Sequence, residues 1–304
     1  MKKRLLLLLA ATALLSLLFV PDIRRPDDRL FAAAEDTLHF PLFLVITILV
    51  LRSRSNSVHP RIWAFRVTGS LVLAAAAVEV IQPFLGRTGQ WTDAALGICG
   101  VLAGVALDES SRAEWAARRI AFVGTAMACG LLAMLPLGGT MLDRHRARQD
   151  FPRLASFESW LELGRWEVAG CDVRRVRSFA THGECALQVQ ASGHDAYPGL
   201  FLTDLPVSWA GEVRVCVEVY LPSSNNLVLW MRADDRPNPA YADRYQQAFE
   251  LSPGSNRICV ALDDFRTPAG RILDPAGIKT WGLFLENAPS GTQFYVDDVV
   301  LNGP

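Results

Sequence analysis

Apolar positions are unevenly placed along this 304-residue chain, and a change in their period divides it. Before residue 143, runs of Leu, Ala, Val and Phe cover 5–20, 38–51, 67–84, 94–107 and 120–142. Nearly unbroken apolar segments approaching twenty residues mark membrane-spanning helices. Beyond residue 154 the period falls to two. In "EVRVCVEVYL" Val213, Val215, Val217 and Val219 share one face, and in "NRICVAL" Ile258, Val260 and Leu262 do. "TWGLFLE" and "QFYVDDVVL" add two strands, separated by the turn signals "PSSNN", "SPGSN" and "NAPSGT". The expected fold class is a multi-domain membrane protein. It has an N-terminal α-helical transmembrane bundle of about five helices (1–142) and a juxtamembrane linker "DRHRARQDFPR" (143–153). A C-terminal all-β jelly-roll sandwich (154–304) completes it.

Composition sharpens this in two ways. Hydrophobic residues make up 51% of the chain, high for a soluble protein, and the net charge is -1, which leaves no field to attract nucleic acid. The opening "MKKR" and the apolar run behind it resemble a signal peptide, but no small-x-small cleavage site precedes Pro21, so the run is read as an uncleaved span. Arg52, Arg54, Arg61 and Arg66, with Arg112, Arg118 and Arg119, crowd two loops and place the N-terminus in the cytoplasm. The C-terminal half is then extracytoplasmic.

The runs 38–51 and 94–107 hold only about fourteen residues each, roughly 21 Å of a roughly 30 Å hydrocarbon core. Their polar neighbours are therefore expected at membrane depth. His39 begins the second span, Glu79 and Gln82 close the third at i, i+3, Arg87 lies in the turn and Asp93 opens the fourth. Ionisable residues at that depth read as functional by default. His39 and Glu79 suit proton transfer, and Arg87 suits an anionic group. The plainer readings are a helix cap for Asp93, a snorkelling Arg87, and a cluster that only locks the helices. No nucleophile accompanies these groups. No CxxC or His-rich spacing is present, so neither a metal nor another cofactor is expected.

"EDTLHF", "VEVIQPFLGR" and "TDAALGICGVLAG" together resemble the VanZ-like membrane family. Glu35 and His39 match its first motif, Glu79, Gln82 and Arg87 its second, and Asp93, Gly100 and Gly104 its third. Asp36 stands where the family often has Lys, and Gly97 where it often has Asn. The resemblance covers roughly the first 110 residues. It implies a multi-pass protein of the bacterial cytoplasmic (inner) membrane, with the lipid bilayer and envelope proteins as partners.

Four cysteines fall in the C-terminal half, and four allow three pairings. Cys216 and Cys259 both alternate away from the apolar faces of their strands and would meet if those strands pair. Cys171 and Cys185 are then left to join across a short loop. Disulfides suit an exported domain. Cys99 and Cys129 lie inside spans and read as packing residues.

The segments "VLWMRADDRPNPAYADRYQQAFELSPGSNRICVALDDF" and "GLFLENAPSGTQFYVDDVVL" resemble jelly-roll carbohydrate-binding modules of the galactose-binding-like type. That likeness implies a glycan or polysaccharide ligand. Sugars are held by aromatic faces flanked by planar hydrogen-bonding groups. Trp230, Arg232, Asp235, Arg236, Tyr241, Asp243, Arg244 and Tyr245 supply those types in one strand–loop–strand unit. Asp235 and Arg244 are equally suited to bracing the loop, and Trp230 to the core. Asp297 and Asp298 read as a strand-end feature. Three functions remain in view: an envelope-glycan binder, an enzyme or accessory factor acting on a lipid-linked substrate, and a structural assembly protein.

Overall fold

The computed structural model describes residues 2–19, 28–85 and 89–302. They form two units that divide between Gly139 and Thr140.

The first unit is helical. Its α-helices are α1 (Lys2–Ser16), α2 (Arg29–Thr37), α3 (His39–Arg52), α4 (Pro60–Ile81), α5 (Trp91–Arg112) and α6 (Ala116–Asp150), the last running on into the second unit. Six helices are therefore described where about five were expected. The addition is α2, whose start is set by Asp28: its carboxylate accepts the N–H groups of Leu30 and Phe31 at 3.0 and 3.2 Å. Pro60 opens α4 at a position where its missing N–H costs nothing.

The helices also outrun their apolar cores. Helices α2 and α3 follow one another over Arg29–Arg52, 24 residues, and α5 has 22. At about 1.5 Å per residue each is longer than the roughly 30 Å core of a bilayer. Among the described residues four segments, Arg29–Arg52, Pro60–Phe84, Trp91–Arg112 and Ala116–Asp150, are long and apolar enough to cross a membrane. Helix α1, with 15 residues, is shorter. Polar residues at the ends of the apolar runs thus belong to the helices themselves.

Helices α3 and α5 meet along small residues. A Cβ added at Gly100 would stand 2.3 Å from the carbonyl oxygen of Phe40, and one at Gly104 2.8 Å from Cβ of Thr47. Glycine alone allows that backbone approach. Gly97 faces Phe43: a Cβ there would lie 2.9 Å from its ring. Phe43 fills the space that a longer side chain at 97 would need.

The second unit is a sandwich of two antiparallel sheets. Its strands are β1 (Arg153–Ala155), β2 (Trp166–Ala169), β3 (Cys171–Val176), β4 (Ala186–Ala191), β5 (Gly199–Leu202) and β6 (Arg214–Leu221). They continue with β7 (Leu227–Asp234), β8 (Tyr245–Leu251), β9 (Gly254–Ala261), β10 (Thr280–Phe284) and β11 (Gln293–Asn302). One sheet has the order β3-β4-β11-β6-β9, with β1 beside β11; the other is β2-β5-β10-β7-β8, a jelly-roll-like arrangement. Val215, Val217 and Val219 of β6 meet Leu229, Met231, Trp281 and Leu283 of the facing sheet in one buried core. Val213, grouped with the valines by its spacing, precedes β6 and is exposed.

The stretch expected as a linker, 143–153, is helical through Asp150. It is rich in good helix formers, and Pro152 is its first helix breaker. Within the second unit Asp143 pairs with Arg165 at 3.4 Å, and Arg144 with Asp204 at 3.0 Å.

Cys216 and Cys259 stand directly opposite in the β6–β9 register and are disulfide-bonded. The second pairing expected from the sequence is corrected. Cys171 pairs in register with Ala191, whereas Cys185 adjoins Ala186 at the other end of the β3–β4 hairpin, where Ala186 faces Val176. That is about 17 Å of strand, far beyond disulfide reach. Both are free thiols. The Cys171 thiol donates to the Gly199 carbonyl at 3.2 Å, and burial pushes its pKa up to about 11.

Candidate functional site

The outer face of the β2-β5-β10-β7-β8 sheet carries a cleft of about 220 Å³. Its lining combines Phe201, Trp230, Phe284 and Tyr241 with Arg232, Arg244, Gln246 and Glu286. Register explains the grouping. Phe284 of β10 lies opposite Trp230 of β7, and Gly282 lies between Phe201 of β5 and Arg232 of β7. Arg232 in turn faces Gln246 of β8. Alternation along the strands sends these side chains outward while Leu283, Met231 and Leu200 enter the core.

The aromatic rings form a floor. Trp230 and Phe284 are stacked with centroids 6.1 Å apart and 16° between planes, and Phe201 lies 6.3 Å from Phe284. Tyr197 meets Phe284 edge-on at 6.0 Å. Two glycines leave room for this floor. A Cβ at Gly199 would lie 2.5 Å from Cβ of Phe284, and one at Gly282 2.4 Å from Phe201.

Polar groups border the rings. The Arg232 guanidinium sits 5.6 Å from the Phe201 ring centroid and donates to the buried carboxylate of Asp234. Arg244 is oriented by donating Nε–H to the Pro239 carbonyl at 2.9 Å. The cleft therefore offers flat apolar faces beside two held guanidinium groups, an amide and a carboxylate.

The eight binding residues expected from sequence divide into three sets. Trp230, Arg232, Tyr241 and Arg244 line the cleft. Asp235, Arg236 and Asp243 belong to an ion network around Arg271, which donates to both Asp235 and Asp243; Arg236 also donates to Asp243. The Arg271 hydrogen bonds hold the Asp235 carboxyl below the ordinary aspartate range. Tyr245 is a correction: it is 3% exposed, stacks on Phe265 at 4.4 Å and donates its hydroxyl to Gln247. It alternates with Arg244 and Gln246, so it points into the core, and burial raises its phenol pKa.

Sequence reasoning missed Tyr197, Phe201, Gln246, Phe284, Glu286 and the bracing Arg271. A signal existed for two of them: Gly282, Phe284 and Glu286 recur at every second position of "WGLFLE". Asp297 and Asp298 brace strand β11. Asp297 accepts from Thr181, His182 and Asp298, and Asp298 pairs with Arg153 at 2.7 Å.

In the helical unit, His39, Glu79 and Asp93 come together from α3, α4 and α5 with one ligand-type atom of each within 4.8 Å of the others. His39 and Glu79 are 6% exposed and Asp93 2%. His39 donates Nδ1–H to the Asp36 carbonyl at 2.9 Å, while its Nε2 is buried without a hydrogen-bond partner among the described residues. Glu79 Oε2 accepts the Gln90 N–H at 2.8 Å. The loop runs tight there, since a Cβ at Gly89 would lie 2.2 Å from the Glu79 carbonyl oxygen. Asp93 occupies the first turn of α5, where the helix dipole favours an anion. Gln82 is buried and donates to the Leu18 carbonyl at 3.4 Å. Arg87 lies outside the described residues.

No known protein-family model matches the chain, and no curated protein does. Several solved structures are similar to it. One is a family 11 carbohydrate-binding module from Clostridium thermocellum, in complex with a β-1,3-1,4-mixed-linked tetrasaccharide. It is 21% identical over 50% of this chain and 94% of that one, with a TM-score of 0.39. Another is an exo-β-agarase, 13% identical over 50% of this chain, with a TM-score of 0.41. An arabinose-bound α-L-arabinofuranosidase is also 13% identical over 50%, with a TM-score of 0.35. This chain spans 25% of the agarase and 25% of the arabinofuranosidase.

Proposed function

We propose that this is a membrane-anchored glycan-binding protein. The helical half crosses the bacterial cytoplasmic membrane with its N-terminus inside, as its VanZ-like motifs imply, and the sandwich is displayed on the extracytoplasmic side. The observation that carries the reading is the aromatic floor of Trp230, Phe284 and Phe201 bordered by Arg232, Arg244, Gln246 and Glu286. Pyranose rings present C–H faces that stack on such a floor, and their hydroxyls pair with planar donors and acceptors at its edge. The cleft is open, which suits a polysaccharide chain.

Two observations support the placement. Helix surfaces are strongly apolar, with Phe65 81% exposed and Leu73, Ile120 and Leu131 similarly bare, which suits lipid contact. The Cys216–Cys259 bond suits an oxidising compartment. A second reading, an enzyme or accessory factor acting on a lipid-linked envelope substrate, is favoured by one observation: the buried His39–Glu79–Asp93 group. The test of the first reading is a screen of envelope polysaccharides against the full chain in detergent. Saturable retention by at least one is expected; absence of saturable retention across a broad set contradicts it.

A further inference from the structure

We propose that His39, Glu79 and Asp93 bind one divalent transition-metal ion at the junction of α3, α4 and α5, independently of any glycan bound by the sandwich. Three elements distant in sequence each contribute one buried ligand atom, and these atoms lie within 4.8 Å of one another. Donor atoms around a tetrahedral ion at about 2.0–2.1 Å stand roughly 3.4 Å apart, so a small closure completes the set.

The imidazole is prepared for this role. A carbonyl can only accept, so the contact with Asp36 fixes the proton on Nδ1 and leaves Nε2 with its lone pair. That atom is buried and, among the described residues, makes no hydrogen bond. A metal-bound histidine is held in the same way, with its other N–H on a backbone carbonyl. The Glu79 carboxylate is likewise oriented from outside, by the Gln90 N–H. A dication carries the charge that balances two carboxylate ligands.

The donor set selects the class of ion. One imidazole with two carboxylates suits Zn²⁺, Mn²⁺ or Fe²⁺; Mg²⁺ and Ca²⁺ favour oxygen alone, and Cu⁺ favours sulfur. Three protein ligands leave a coordination position open for water or a substrate oxygen.

The test uses the full chain, free of any affinity tag, in detergent and stripped with chelator. It is titrated with Co²⁺ as a spectroscopic stand-in and then with Zn²⁺ as competitor. The expected result is one equivalent of Co²⁺ with a visible d–d band, no thiolate charge-transfer band, and displacement by Zn²⁺. His39→Gln and Glu79→Gln are each expected to weaken binding at least tenfold, whereas Cys99→Ser with Cys129→Ser leaves it unchanged. Failure of the folded wild-type chain to bind either ion overturns the proposal. So does wild-type affinity in a folded His39→Gln chain, which would put the ion elsewhere.

Discussion

Gly282 and Phe201 lie opposite one another in the β10–β5 register, and a Cβ on Gly282 would reach within 2.4 Å of the Phe201 ring. The ring occupies the place a side chain would take, and the cleft floor depends on that vacancy. Gly282→Val is expected to cost about 2 kcal/mol, as overpacking does, and to distort the cleft. Denaturant unfolding of the full chain in detergent, followed by tryptophan emission, checks it.

Arg271, in the loop between β9 and β10, clamps Asp235 and Asp243 at the two ends of the loop between β7 and β8. Because Arg271 depresses the folded-state pKa of Asp235, the stability it contributes is complete above the unfolded aspartate value of about 3.9 and is lost as pH falls through the folded value. Arg271→Gln is expected to lower stability at pH 7 by about 1 kcal/mol, since it leaves Asp235 with only the Asp274 N–H while Asp243 keeps Arg236. It should also flatten the fall in stability below pH 4. Unfolding midpoints at pH 7, 5, 4 and 3 for both chains test this.

Gly100 sets the approach of α3 to α5. Gly100→Ala drives a methyl group toward the Phe40 carbonyl oxygen, and a loss of at least about 2 kcal/mol is expected. Gly124 meets nothing within 4 Å, so Gly124→Ala is expected to be neutral or to stabilise by up to about 1 kcal/mol through helix propensity. Thermal melts in one detergent compare the two.

The Cys216–Cys259 bond spans 43 residues of sequence. Loop-closure entropy for that length corresponds to about 4 kcal/mol, an upper figure for its contribution. Cys216→Ala with Cys259→Ala is expected to approach that loss in denaturant unfolding. Cys171 should alkylate slowly at neutral pH, because its thiol is protonated and half-buried.

Local periodicity made much of this legible. Alternating Val215, Val217 and Val219 defined β6 and turned Cys216 toward Cys259 on the same face of its sheet. What it could not show was which strands become neighbours. The cleft joins Phe201, Phe284, Trp230 and Gln246 from four strands whose order in the sheet is not their order in the chain. Tyr245 was misplaced by residue type, although its position between Arg244 and Gln246 already sends it inward. Helix α2 was missed because its stretch is only partly apolar and its start rests on one capping carboxylate. In the helical half, the sequence already grouped His39, Glu79 and Asp93 at converging helix ends, but only the packing of α3 against α5 and α4 brings one ligand atom of each within reach of a single ion.

The central claim is that the aromatic floor holds a sugar chain. Its most direct measurement is a calorimetric titration of the best-retained polysaccharide into wild-type, Trp230→Ala and Gly124→Ala chains. Stacking and the exclusion of water at a central aromatic residue are worth more than about 1.4 kcal/mol, so Trp230→Ala should bind at least tenfold more weakly with an unchanged melting temperature. Gly124→Ala should match wild type. Equal affinity in all three chains would contradict the account.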